Sequence, residues 1–110
     1  MALNIERFDE VATRILRHLY ERFPNPAHPD PTCIGLSEEK VDYVDGDLAV
    51  SADWHDLNNE VRSVLQWLIE ESFVLHRNHQ IGPKHIITAK GFEALMKLDH
   101  YYTPPRFFGM

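Results

Sequence analysis

A single cysteine, Cys33, stands in this chain of 110 residues, so no internal disulfide framework is available to it. A thiol without a partner fits a reducing, cytoplasmic setting. No stretch approaches the roughly 18 consecutive apolar residues of a membrane-crossing helix. Met1 to Phe8 carries charge where a secretion signal needs an apolar core. Positive charge is also scarce: 11 Lys and Arg stand against 17 Asp and Glu, a formal net charge of −6. That balance argues against a protein that coats nucleic acid indiscriminately, although a local basic patch on an acidic body is compatible with it. Neither disorder nor collagen-like structure fits, because 44% of the residues are hydrophobic and 25% charged. The expectation is one soluble domain with a core of its own.

Apolar spacing places the elements. Ile5, Phe8, Val11, Ala12, Ile15, Leu19 and Phe23 recur at three- and four-residue steps, which gathers them on one face of a helix. Asn4 is its expected N-cap, and Leu3 with Phe8 has the spacing of a hydrophobic staple. Glu10 and Arg14 form an i,i+4 pair, and Pro24 and Pro26 end the helix. Residues 24–31, PNPAHPDP, hold four prolines in eight and form a connector that cannot be helical. Leu36 to Val41 predicts a short helix capped by Ser37. Asp45-Gly46 is a turn signal, and 47–50 is open between strand and loop.

A second long helix carries Trp54, Leu57, Val61, Val64, Leu65 and Leu68 as its stripe, with Ser51 or Asp53 as cap. From Ser72 the period shortens. Runs at 73–77 and 84–87, joined by Asn, Gly and Pro, predict a β-hairpin with a longer loop. Thr88 caps a last helix cored by Phe92, Leu95, Met96 and Leu98, and an aromatic, proline-broken tail covers 100–110.

Helix, short helix, long helix, hairpin and helix is the order of a winged helix-turn-helix domain. Val64 to Val74, VLQWLIEESFV, resembles a recognition helix running into the first wing strand. Ile86 to Leu95, IITAKGFEAL, is similar to the end of the wing and start of the final helix in PadR- and MarR-like regulators. In that pattern the Thr caps the helix, and Gly91 permits close backbone packing. The resemblance implies a mainly α winged-helix domain with a core of about 4–98, and DNA binding or transcription regulation. It also implies a homodimer formed through terminal segments. Two features depart from the pattern. About nine residues separate Val44 from Trp54 where a helix-turn-helix uses three or four. Asp30 to Glu60 also carries nine acids and one base, Lys40.

Two functions follow as alternatives. In the first, helix 54–72 reads duplex DNA through Asn59, Arg62, Ser63 and Gln66, types that hydrogen-bond base edges. The wing at 73–88 then holds phosphate, with Arg77, Lys84 and Lys90 in a stretch free of acid from Ser72 to Phe92. In the second, an adaptor or inhibitor meets a basic protein through its acidic 30–60 face. Trp67, Tyr101, Tyr102, Phe107 and Phe108 are its candidate interface aromatics, although for Trp67 alone packing against the first helix is the favoured expectation. His76, His79 and His85 could converge on a metal, but without a cysteine pair no metal is expected. No phosphate loop, nucleophile elbow or HExxH stands in the sequence, so neither a cofactor nor catalysis is expected.

Overall fold

The computed structural model describes residues 2–77 and 84–98. Helix α1, Ala2–Arg22, lays Val11, Ala12, Ile15, Leu16 and Leu19 into the core. Leu16 widens the expected stripe by one position, while Ile5 is 63% exposed at its outer end. The helix begins two residues before Asn4. Asn4 is therefore an interior residue and not a cap, and Leu3 lies within the helix rather than ahead of it as a staple requires. Ala and Leu extend a helix more readily than Asn stops one. Pro24 ends it, with Phe23 N–H donating to the Tyr20 carbonyl at 3.2 Å.

The proline connector is ordered by its partners. Ala27 exchanges both backbone hydrogen bonds with His85, at 2.8 and 3.1 Å, and Pro29 and Pro31 are buried. One capped turn follows. Asp30 Oδ1 accepts from Cys33 N–H at 2.7 Å, and Gly35 sits in the left-handed region at φ 81°. The Leu36 and Gly35 N–H groups return to the Pro31 and Thr32 carbonyls, which is the hydrogen-bond pattern that terminates a helix.

The sequence predicted a short helix about five residues further on, from Leu36 to Val41. Residues 37–41 are not helical. Ser37 Oγ accepts from Glu39 N–H, and the Glu39 carboxylate binds the N–H and hydroxyl of Ser51, both at 2.6 Å. With no apolar stripe to bury, that segment gains more from capping its neighbour than from coiling. The enlarged turn then forms a hairpin, β1 (Asp42–Val44) paired with β2 (Asp47–Ala49) through Asp45-Gly46. Both turn residues have positive φ, 53° and 85°, which matches the twist of a two-residue hairpin.

Helix α2, Ala52–Glu70, starts at Ser51, whose Oγ accepts from Trp54 N–H at 3.1 Å. Its buried face is Trp54, Val61, Val64, Leu65 and Leu68. The Trp54 indole donates to Thr32 Oγ1 at 3.0 Å, which ties α2 to the capped turn. Ser72, in the left-handed region at φ 68°, reverses the chain into β3 (Val74–His76). The antiparallel partner β4 (His85–Ile87) places His76 opposite His85 and Val74 opposite Ile87. Thr88 Oγ1 accepts from Gly91 N–H and opens α3, Ala89–Leu98, which buries Phe92 and Leu95. The described chain is thus mainly helical, with one core shared by three helices and the inner face of the second hairpin.

Across the α1–α2 contact, Arg7 grips Glu60 with two hydrogen bonds of 2.7 Å. This pairing holds the Glu60 carboxyl below its ordinary range. Both side chains are about one-third exposed, so water screens the pair and Arg7→Ala should cost about 1 kcal/mol in urea unfolding. Glu60→Gln should lose a similar amount. The double variant should lose less than the sum, since one interaction is removed twice.

Candidate nucleic-acid interface

The reversal at Ser72 sets the exposed side of α2 beside the second hairpin. Ser72 is held by Thr88, whose hydroxyl donates to its carbonyl at 2.7 Å. Between α2, this hairpin and the proline connector lies a groove of about 760 Å³. Arg62 and Gln66 line it from α2, Lys84, His76 and His85 from the hairpin, and His28 from the connector. Thr88 and apolar side chains such as Leu65 and Ile69 complete it, and none of the described lining residues is acidic.

Three of the seven residues proposed for nucleic acid therefore meet in one place: Arg62, Gln66 and Lys84. Neither Arg62 nor Lys84 carries an ion pair among the described residues. Gln66 donates to Glu70 at 3.2 Å. Asn59 and Ser63 are exposed on α2 outside the groove lining, with Ser63 Oγ donating to the Asn59 carbonyl at 3.0 Å. Arg77 N–H donates to the Lys84 carbonyl, which continues the hairpin pairing beyond His76. Lys90 has another task. Its ammonium donates to the Glu71 carbonyl at 2.8 Å, at the negative end of α2, and lies 4.6 Å from the centroid of the Phe73 ring.

The histidines assemble differently from the hairpin trio of the sequence. His76 Nδ1 and His85 Nε2 are 3.0 Å apart, and the His28 ring centroid is 6.2 Å from that of His85. His79 lies outside the described residues. His28 joins because Ala27 pairs with His85, a long-range bridge that no local spacing announces. His85 is 8% exposed, and its Nδ1 is buried without a partner among the described residues. A bare lone pair costs less there than an orphaned N–H, so the favourable tautomer has His85 Nε2–H donating to His76 Nδ1. Burial, then the neighbouring His76 and His28, lower the His85 pKa to about 4. Among the described residues, no three His, Cys, Asp or Glu are arranged to hold a metal ion.

Three of the nine acids between 30 and 60 have partners within the fold. Asp30 caps the turn, Glu39 holds Ser51 and Glu60 is paired with Arg7. Asp42, Asp45 and Asp47 sit on the first hairpin, every residue of which is exposed. Trp67 stacks on Phe73 at 5.8 Å and meets Phe8 edge-on at 5.1 Å, and it remains 43% exposed. Tyr101, Tyr102, Phe107 and Phe108 lie outside the described residues. Cys33 is no activated nucleophile, because burial and the adjacent Asp30 raise its thiol pKa. No described helix is long and apolar enough to cross a membrane. No protein-family model, curated protein or solved structure matches the chain.

Proposed function

We propose that this chain is a winged-helix-type nucleic-acid-binding protein that grips duplex DNA along the groove between α2 and the second hairpin. One observation carries the reading: in a chain of net charge −6, Arg62, Gln66 and Lys84 share a groove whose described lining holds no carboxylate. Local charge, not net charge, decides where a polyanion docks. In this account Arg62 and Gln66, with Asn59 and Ser63 one turn earlier, face base edges, and Lys84 and Arg77 face phosphates. Engagement of Asp30, Glu39 and Glu60 within the fold supports the reading, since these acids already have partners close by.

Fluorescence anisotropy with a random-sequence duplex at low salt tests it. Combining Arg62→Ala with Lys84→Ala should weaken binding about tenfold or more. Unchanged affinity in that variant would refute the reading.

A second reading rests on the first hairpin, where Asp42, Asp45 and Asp47 surround exposed Tyr43 and Val44. That surface suits a basic protein partner. Converting the three aspartates to Asn separates the two. Duplex binding should hold or tighten if the groove is the site, whereas the adaptor reading has no duplex binding to change.

A further inference from the structure

The groove brings together three imidazoles, a guanidinium and an ammonium with no carboxylate among its described lining residues. His28 comes from the connector, His76 and His85 from facing strands, Arg62 from α2 and Lys84 from the residue just before β4. The 78–83 segment that joins the strands, NHQIGP, adds no acid in sequence. Among the described residues, every titratable or charged group facing His85 is therefore neutral or positive. A proton on His85 is opposed by burial first and then by this like charge. An anion reverses the balance.

We propose that the groove is a proton-linked phosphate site, in which a phosphate group lies against Arg62, Lys84 and the His28–His76–His85 cluster while the cluster takes up one proton. The inference rests on the groove being the anion-facing surface of the proposed function and adds how its affinity is set. A bound phosphate supplies the negative charge that the cluster lacks, so binding and protonation favour each other. His76 and His85 share one hydrogen bond across the hairpin, so a proton gained by either ring changes the bond that the other makes. Arg62 and Lys84 bind at any pH in this range, and the cluster supplies the pH dependence. The phosphate can belong to a nucleic-acid backbone or to a free phosphorylated compound, and the groove chemistry is the same for both.

Sulfate is a suitable probe, because it remains a dianion throughout the titration range of histidine. Ring resonances of His28, His76 and His85 are followed by NMR as sulfate is added, with chloride at equal ionic strength as control. Calorimetry in buffers of different ionisation heat counts the protons. Saturable shifts in these rings are expected, with about one proton taken up and affinity about tenfold tighter near pH 6 than near pH 8. His76→Gln, at a half-buried position, should flatten the pH dependence, and Arg62→Ala should weaken binding at both pH values. Sulfate shifts no larger than those of chloride, or binding without proton uptake, would overturn the inference.

A labelled duplex in parallel separates the two proposals. Sulfate binding with proton uptake but no duplex binding keeps the site, identifies a free phosphorylated compound as its ligand and removes the nucleic-acid reading. Duplex binding without proton uptake does the reverse, and failure of both removes both.

Discussion

Gly91→Ala should destabilise the protein by about 3 kcal/mol, although Ala is the better helix former by about 1 kcal/mol. The sign follows from the space available. A Cβ at Gly91 would stand 2.4 Å from the Phe73 carbonyl oxygen and 2.6 Å from Ile87 Cγ1. The first of these is backbone and cannot swing aside. It also accepts the Thr88 N–H at 3.1 Å, so relieving the clash pulls on the joint between the second hairpin and α3. For a domain of this size the change lowers Tm by roughly 10 °C or more. Gly46→Ala is the useful contrast. Nothing lies within 4 Å of its Cβ, and only the positive φ of 85° opposes it, at a cost of about 1 kcal/mol. Thermal unfolding of both variants checks the ranking, and equal losses would show that the α3 contact is looser than described.

His85 should make stability fall on acidification. The folded chain keeps His85 neutral to about pH 4, against an ordinary value of 6.5. A depressed folded pKa contributes stability that is fully present above pH 6.5 and is lost as pH falls from there through about 4. Between those limits the unfolded chain takes up a proton that the folded chain refuses. Solvent near the groove discounts the effect to about 2 kcal/mol. His85→Leu removes the titrating group, so its urea stability should fall less than that of the wild type between about pH 7 and pH 4.5. Sulfate should narrow the gap by favouring the protonated cluster. Parallel pH profiles for the two proteins would contradict this role.

Where the sequence was informative, a local rule was sufficient. The stripes of α1 and α2 came from spacing. Ser51 and Thr88 were legible as caps because each side-chain oxygen meets an N–H three residues on. Asp45-Gly46 was legible as a turn because Gly and Asp tolerate positive φ. Gly91 was legible as a close-packing point through its place in a familiar pattern. The misplaced short helix shows the limit: Ser37-Glu38-Glu39 has the composition of a helix start, yet Glu39 finds Ser51 twelve residues away. Propensity lost there to a tertiary partner.

The site was legible only in part for the same reason. Arg62, Gln66 and Lys84 were chosen by type and by element, and they share the groove. Lys90 was chosen by charge alone, and the carbonyl end of α2 holds it instead. His28 went unnoticed because its membership depends on the bridge from Ala27 to His85, between residues far apart in the chain. What the acids between 30 and 60 hold was not legible either: Asp30, Glu39 and Glu60 find partners within the fold that no local spacing announces.

The most direct test of the groove as a nucleic-acid interface is the salt dependence of duplex binding, measured for the wild type and for Arg62→Ala combined with Lys84→Ala. Each phosphate contact contributes a slope of about −0.9 in log K against log salt. The account predicts that wild-type affinity falls steeply with salt and that the double variant has a slope shallower by about 2. No binding at micromolar protein in low salt, or the same slope in both proteins, would contradict it.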